Sequence, residues 1–559
     1  MAIFAACFSI RSSIYQTKYR RKMKKLLFAV LPLLLWSCKE TPKLPANQAQ
    51  TESGIVEGVY SEDSAIVVFK GVPFAAAPVG ELRWKEPQPV QPWDTIRPCY
   101  EFGDDPAQPS LFGDMNFKGP KKSEDCLYLN IWKPVDAEGC PVLIYFNGGG
   151  LMAGSGSEPR YAGDSLAHHG IVSITANYRE GIIGFLAHPD LTAESPNHTS
   201  GNYGILDQAA AIKWVFDNIA GFGGDPNRIT IVGESAGSFS VSVLMASPLS
   251  RGYLAGAIGS SGAEFKPSSA KPLADGEAIW SKTLAEKGLT IDSLRQLPAD
   301  SVMKLVPLRG MPNLLVDGYL LPATVDEIFA NGEQAQVPLL AGWNSLEGSP
   351  LSSFRGQKPT IKAYRAILQS TFGDRTDEVL NAYGLKKDED LFGPTATELA
   401  GALFTAFPTW KWCDEHAKTD HPVYRYFYTH PRPEMTAKYS GMEAALAGGV
   451  KKKDDKGAAA PRAIIKGAVH SADIEYAMGN LATNDVFAWT ADDYKVQENF
   501  MNVYINFIKT GNPNGPGVPE WKPINGEEVA PVLQIDVDCK VVADGELEAR
   551  YKLLDSIFE

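Results

Sequence analysis

Ile229-Thr230-Ile231-Val232-Gly233-Glu234-Ser235-Ala236-Gly237-Ser238 is the stretch on which the reading of this chain turns. Its first four residues are β-branched, three of them apolar, which predicts a buried strand. They run into Gly-Glu-Ser-Ala-Gly, and Ser240 to Met245 is a helix-compatible run. A strand that stops at G-x-S-x-G and gives way to a helix is a nucleophile elbow, with the serine at the bend. A side chain at Gly233 or Gly237 would collide with the neighbouring strand or helix. The turn lifts Ser235 Oγ clear of the sheet and leaves the Ala236 N–H facing the same space. A five-residue motif also arises by chance, so its partners must be found elsewhere in the chain.

The 559 residues are 44% hydrophobic and 21% charged, a globular composition with enough length for a large core. A net charge of -13 argues against a nucleic-acid or anionic-membrane surface. No repeat of solenoid period occurs, which favours one domain over residues 53–559.

The N-terminus reads as an address. Met23-Lys24-Lys25 followed by Leu26 to Trp36 is a basic region and an apolar core too short to span a bilayer. Leu35-Trp36-Ser37-Cys38 then resembles a bacterial lipobox, with Cys38 as the lipidated residue, although Trp36 is atypical there. Residues 1–22 read as an upstream extension, 23–38 as the signal peptide and 39–52 as a polar tether. The expectation is an exported protein, lipid-anchored to a bacterial cell envelope, with an ordinary secretory signal as the alternative.

Of the seven cysteines, Cys7 and Cys38 belong to this leader. Cys99 and Cys126 flank a Gly/Pro/Asp-rich loop, and a bridge there would contribute about 3.5 kcal/mol in the chain-entropy model. Cys140, Cys413 and Cys539 show no metal-ligand spacing. No metal site is expected.

Along the chain, residues 54 to 70 alternate like a hairpin. Val142 to Phe146 is a fully apolar strand opening into Asn147-Gly148-Gly149-Gly150-Leu151, where consecutive glycines let backbone N–H groups point at one spot. Ile171 to Ala176 is the next strand, Asp207 to Asn218 has helical spacing, and another strand starts at Leu254. Val337 to Gly342 is a buried strand leading to Asn344-Ser345-Leu346-Glu347-Gly348, and Val423 to Tyr428 is a further strand. Such alternation implies an α/β fold, a mostly parallel sheet with helices on both faces. Residues 451–461 (Lys-Lys-Lys-Asp-Asp-Lys-Gly-Ala-Ala-Ala-Pro) read as a solvated low-complexity loop.

A serine nucleophile needs a base, and the base needs an orienting acid. Where the chain order is serine, acid, histidine, the base comes from His416, His421, His430 and His470. His416 reads as lying on an exposed helix, and His421 and His430 flank a strand. His470 lies in the small-residue loop Gly467-Ala468-Val469-His470-Ser471-Ala472-Asp473 and is preferred. For the acid, Glu347 just beyond a buried strand competes with Asp317, which precedes Gly318 and also reads as a turn former.

Three further stretches carry a family resemblance: Phe69-Lys70-Gly71-Val72-Pro73-Phe74-Ala75, Pro78-Val79-Gly80-Glu81-Leu82-Arg83-Trp84 and Ser123-Glu124-Asp125-Cys126-Leu127-Tyr128-Leu129-Asn130-Ile131-Trp132. Gly201-Asn202-Tyr203-Gly204, Asp207-Gln208 and Phe222-Gly223-Gly224-Asp225-Pro226 extend it to the elbow. With these, the chain resembles the type-B carboxylesterase/cholinesterase family over about residues 53–557, its bacterial para-nitrobenzyl-esterase-like members in particular.

The resemblance implies an α/β-hydrolase fold with helical insertions at the pocket rim. It implies Ser235 as nucleophile, Glu347 as acid, His470 as base, and an oxyanion hole from the N–H groups of Gly149, Gly150 and Ala236. Glu234 and Ser261 would support the triad, Cys99–Cys126 would be a disulfide, and Arg83–Glu124 and Arg179–Asp207 would be structural ion pairs. The chain departs from the family at Asn147, Leu151 and Asn116, the last standing where cholinesterases carry a tryptophan, so the main platform for a choline cation is gone. The stretch between Tyr428 and His470 is also longer than usual.

The expected activity is hydrolysis of small or medium carboxylic esters through an acyl-enzyme, without a cofactor. The partner is a small-molecule ester rather than nucleic acid, with membrane contact only through a lipid anchor. Two alternatives stand beside it: a deacylase of plant-polymer feruloyl or acetyl esters, and an inactive cholinesterase-like binding module.

Overall fold

Runs of β-branched and aromatic residues separated by helices build one sheet. The computed structural model describes residues 44–305, 313–452 and 466–559, and the unit that holds the sheet runs from Ala46 to Glu559. Among the described residues this sheet has eleven strands. In chain order they are β1 (Val59–Tyr60), β2 (Ile66–Pro73), β3 (Tyr128–Pro134), β4 (Cys140–Phe146), β5 (Val172–Ala176) and β6 (Gly224–Glu234). Then follow β7 (Gly256–Ser260), β8 (Leu339–Asn344), β9 (Val423–Tyr428), β10 (Val532–Ile535) and β11 (Lys540–Val542). The spatial order is β11-β10-β9-β8-β7-β6-β4-β5-β3-β2-β1.

The strands from β10 to β5 in that order run parallel, and antiparallel strands extend both edges. Parallel strands place their C-terminal ends, and the loops that follow, along one edge of the sheet. The strand pleat sends alternate side chains to two cores. Val142, Ile144 and Phe146 of β4 pack on one face with Ile229 and Ile231 of β6. Leu143 and Tyr145 pack on the other with Val232, Leu340, Tyr424, Tyr426 and Tyr428.

Helices cover both faces. The ones that bear on the site are α1 (Tyr203–Asn218), α2 (Ala236–Ala246), α3 (Pro394–Gly401), α4 (Phe407–His416) and α5 (Ala491–Thr510). Between α3 and α4, Ala402–Ala406 forms a π-helical turn, a widening often found at functional sites. A third core, around Trp343, Tyr364, Leu399, Phe407 and Tyr551, holds the helical insertion against the sheet.

Three expectations need correction. The tether ends earlier than read: Gln48–Thr51 is a strand paired with Gly54–Glu57, with Ala49 buried in the main core and Gln48 and Thr51 bonded across the pair. Cys99 and Cys126 are both buried free thiols and form no disulfide here; each packs as a small apolar side chain in the main core. His416 is fully buried rather than exposed, its ring between Gln334 Nε2 at 3.2 Å and Val337 O at 2.8 Å.

The leader, Cys38 included, lies outside the described residues, as does 453–461 of the low-complexity loop. Lys451 and Lys452 belong to a small hairpin, Met442–Ala444 with Val450–Lys452. Among the described residues no helix is long and apolar enough to cross a membrane.

Candidate active site

The C-terminal ends of β4, β6, β7 and β8 supply the site. β6 ends at Glu234, and Ser235 takes φ 55° and ψ −124° before α2 begins at Ala236. A non-glycine residue in this left-handed region is strained, and strain of this kind concentrates at active sites. The elbow forms because its glycines permit close approach. A Cβ on Gly233 would lie 2.2 Å from the Gly237 carbonyl carbon, and one on Gly237 would lie 2.1 Å from Phe146 O.

Ser235 Oγ lies 2.9 Å from His470 Nε2, and His470 Nδ1 lies 2.6 Å from Glu347 Oε2. These three residues come from separate parts of the chain, and the loops bearing the last two are tied together. Leu346 N–H donates to Ala468 O at 2.8 Å, Ala468 N–H to Ser345 Oγ at 2.9 Å, and Asn344 Nδ2 to Val469 O at 3.0 Å. The other Glu347 oxygen, Oε1, accepts from Ser261 Oγ at 2.5 Å and from the Asn344 N–H at 2.6 Å. Both carboxylate oxygens are therefore engaged, which fixes the plane of the Glu347 side chain.

Charge gathers around the imidazole. Glu234 Oε1 is 3.3 Å from His470 Nε2, and Asp473 is buried nearby, accepting from Ser260 Oγ and from Asn344 Nδ2 at 3.0 Å. Burial works against the His470 cation, but the carboxylates of Glu234 and Glu347, with the Glu347 hydrogen bond, outweigh it and hold the imidazole above its ordinary value. Burial pushes the Glu234 carboxyl up to about 8, against the pull of His470.

The glycine run after β4 adjoins Ser235: a Cβ on Gly148 would lie 3.0 Å from Ser235 Cβ. Gly149 has φ 126°, and a Cβ there would fall 1.6 Å from Ala153 O, so this turn requires glycine. The N–H groups of Gly149 and Gly150 make no hydrogen bond among the described residues. That of Ala236 lies in the first turn of α2, where backbone donors have no intrahelical acceptor. Asn147 is buried and donates to Gly148 O, Tyr178 Oη and Glu180 Oε1.

The rival candidates lie elsewhere. Asp317 organises a turn, its Oδ1 accepting the N–H groups of Tyr319, Leu320 and Leu321. His430 is bracketed by Asp493 and Asp536 at 3.0 and 3.3 Å. Arg83–Glu124 and Arg179–Asp207 are buried ion pairs. Among the described residues no cluster of His, Cys, Asp and Glu is placed to hold a metal.

Two neighbours of His470 carry no role in the sequence reading. Asp473 carried a signal, three residues beyond His470 on the same loop. Phe404 carried none: it stands on the π-helical turn with its ring centroid 4.9 Å from that of His470, a contact set by how the helical insertion docks.

Comparison with known proteins agrees with this architecture. The carboxylesterase family model matches residues 45–554. The chain is similar to fumonisin B1 esterase of Sphingopyxis macrogoltabida, 40% identical over 401 residues that cover 67% of this chain and 71% of that one. It is also similar to the para-nitrobenzyl esterase of Bacillus subtilis (strain 168), 29% identical over 530 residues, covering 90% and 98% of the two chains. Among solved structures, a PNB esterase superposes with a TM-score of 0.74 at 27% identity, covering 91% of this chain and 99% of that one. A carboxylesterase of Geobacillus stearothermophilus gives the same TM-score and identity, covering 90% of this chain and 100% of the other. The protein is thus an ester-hydrolysing enzyme of α/β-hydrolase fold and belongs to the carboxylesterase family.

Proposed function

We propose that the protein hydrolyses small or medium carboxylic esters through an acyl-enzyme on Ser235, with His470 as base and Glu347 as its orienting acid. The observation that carries this reading is the continuous contact from Ser235 Oγ through both ring nitrogens of His470 to Glu347, at 2.9 and 2.6 Å. Neutral His470 takes the Ser235 proton at Nε2 as Oγ attacks the ester carbonyl. Glu347 holds the Nδ1–H tautomer and stabilises the imidazolium that forms. The N–H groups of Gly149, Gly150 and Ala236 receive the developing oxyanion, and losing one such donor typically costs about 2.7–4 kcal/mol. The imidazolium returns its proton to the departing alcohol oxygen. Water then repeats the attack on the acyl-enzyme, releasing the acid and restoring Ser235.

Acid-quenched enzyme turning over p-nitrophenyl butyrate tests the reading by peptide mass analysis. An adduct of acyl mass on the Ser235 peptide is expected. Steady turnover with no adduct there, together with undiminished turnover by Ser235→Ala, would contradict it.

The 40% identity to a fumonisin B1 esterase supports a second substrate reading, toward bulkier natural esters. Comparing kcat/KM for fumonisin B1, a feruloyl ester and a simple acetate separates it from broad esterase activity. We also propose export with a lipid on Cys38, read by the mass of the mature N-terminal peptide.

A further inference from the structure

The loop that carries the imidazole is held from outside the triad. Ser471, next to His470, has φ 62°, a left-handed conformation that serine adopts where its surroundings impose it. Its Oγ donates to Leu446 O at 2.6 Å, and its carbonyl accepts from Arg432 Nη2 at 2.9 Å. Arg432 also forks onto Glu475, Nε to Oε1 at 3.1 Å and Nη2 to Oε2 at 3.0 Å, while its Nη1 reaches Leu446 O at 3.4 Å. Its side chain is 6% exposed and lies over the Phe487 ring.

Leu446 stands in the turn of the hairpin Met442–Ala444/Val450–Lys452, within the long stretch between Tyr428 and His470. Residues 443–446 line a groove of about 970 Å³ together with Glu347 and Val469. Residues 447–450 line a separate cavity of about 290 Å³ beside Glu158 and Arg160. The hairpin therefore adjoins the site through the groove that holds Glu347 and Val469, and the Arg432 guanidinium and Ser471 Oγ connect it to the histidine loop.

We propose that Arg432 is a positioning residue for the catalytic base: with Ser471 it clamps the His470 loop to the 442–452 hairpin and so fixes the imidazole between Ser235 and Glu347. This rests on the serine-esterase reading above. Neutralising Glu475 needs only a positive charge. Reaching Ser471 O and Leu446 O at the same time needs the fixed multi-donor fork that arginine has and lysine lacks. Small displacements of a catalytic group are expensive in rate, so the clamp should act on kcat.

The test compares full-length wild type with Arg432→Lys, Arg432→Ala and Ser471→Gly, with kcat expressed per Ser235 site labelled to completion by a fluorophosphonate. Arg432→Lys should lower kcat by at least about tenfold with KM within about twofold. Added guanidinium ion should restore part of the Arg432→Ala loss. Ser471→Gly, which relaxes the backbone but removes the Oγ contact, should lower kcat by about threefold. Wild-type kcat per labelled site in Arg432→Lys, or a change confined to KM or to the thermal midpoint, would overturn the clamp. If Arg432→Ala does not fold, the other two variants decide. A wild type that never labels at Ser235 overturns the serine-esterase reading itself, and the clamp with it.

Discussion

Glu234 Oε1 lies 3.3 Å from His470 Nε2, the same nitrogen that faces Ser235 Oγ at 2.9 Å. The residue before Ser235 thus presents a carboxyl to the His470 ring. In the proposed mechanism His470 must be neutral to accept the serine proton. Burial disfavours its cation, but Glu234 and Glu347 together hold the imidazole above its ordinary value. A raised value means that the neutral base is lost already at higher pH, so kcat/KM should fall as pH drops through a point above that of a free imidazole. Glu234→Gln removes one of the carboxylates that stabilise the cation, so its acid limb should move to lower pH. A pH–rate profile of both proteins checks this, and an unmoved limb would contradict the coupling.

In the proposed mechanism Glu347, 2.6 Å from His470 Nδ1, sets the tautomer of the imidazole as well as stabilising its charge. A glutamine at this position can present an amide donor to Nδ1 and then favours the wrong tautomer. We expect Glu347→Gln to lower kcat on the order of 10³–10⁴-fold while the fold is retained. Steady-state kinetics beside a far-ultraviolet circular dichroism spectrum reads both halves of the prediction.

Ser261 Oγ and the Asn344 N–H share Glu347 Oε1. Removing the hydroxyl leaves the backbone donor in place, so the carboxylate keeps one of its two anchors. Hydrogen bonds to charged groups contribute roughly 1.5–3 kcal/mol. Ser261→Ala should accordingly lower kcat by about tenfold, well short of the Glu347→Gln loss. Equal losses in the two variants would mean that Ser261 does more than hold the acid.

Arg179 and Asp207 pair with both side chains wholly buried, at 2.7 Å, and Arg179 also donates to Lys85 O. Truncating one partner strands the other as an uncompensated buried charge. Arg179→Met should destabilise by about 3–5 kcal/mol, read as a lower urea midpoint. Replacing both, Arg179→Met with Asp207→Leu, should recover part of the loss. A double variant less stable than the single one would argue against this account.

How much of this was legible in the sequence follows from what each residue depends on. Ser235, Glu347 and the glycine run sit at the ends of strands whose apolar runs are local signals, so their shared edge could be inferred. The elbow glycines were readable because their steric role lies within the motif. His416 was misread because its burial comes from Gln334 and the Val337 carbonyl, groups about eighty residues away in the chain. The strand Gln48–Thr51 is fixed by main-chain pairing with one small core residue, Ala49, too short an apolar signal to stand out in a polar stretch. Phe404 against His470, and Arg432 between Ser471, Glu475 and Leu446, depend on how insertions dock. No local pattern specifies that docking.

The central claim is that Ser235 is the nucleophile of a working esterase. A soluble chain beginning after Cys38 and its Ser235→Ala variant would be exposed to a fluorophosphonate probe, with p-nitrophenyl acetate hydrolysis followed in parallel. The account predicts labelling of the wild type alone and loss of hydrolysis in the variant. Folded wild type that neither labels nor turns over the ester would contradict it.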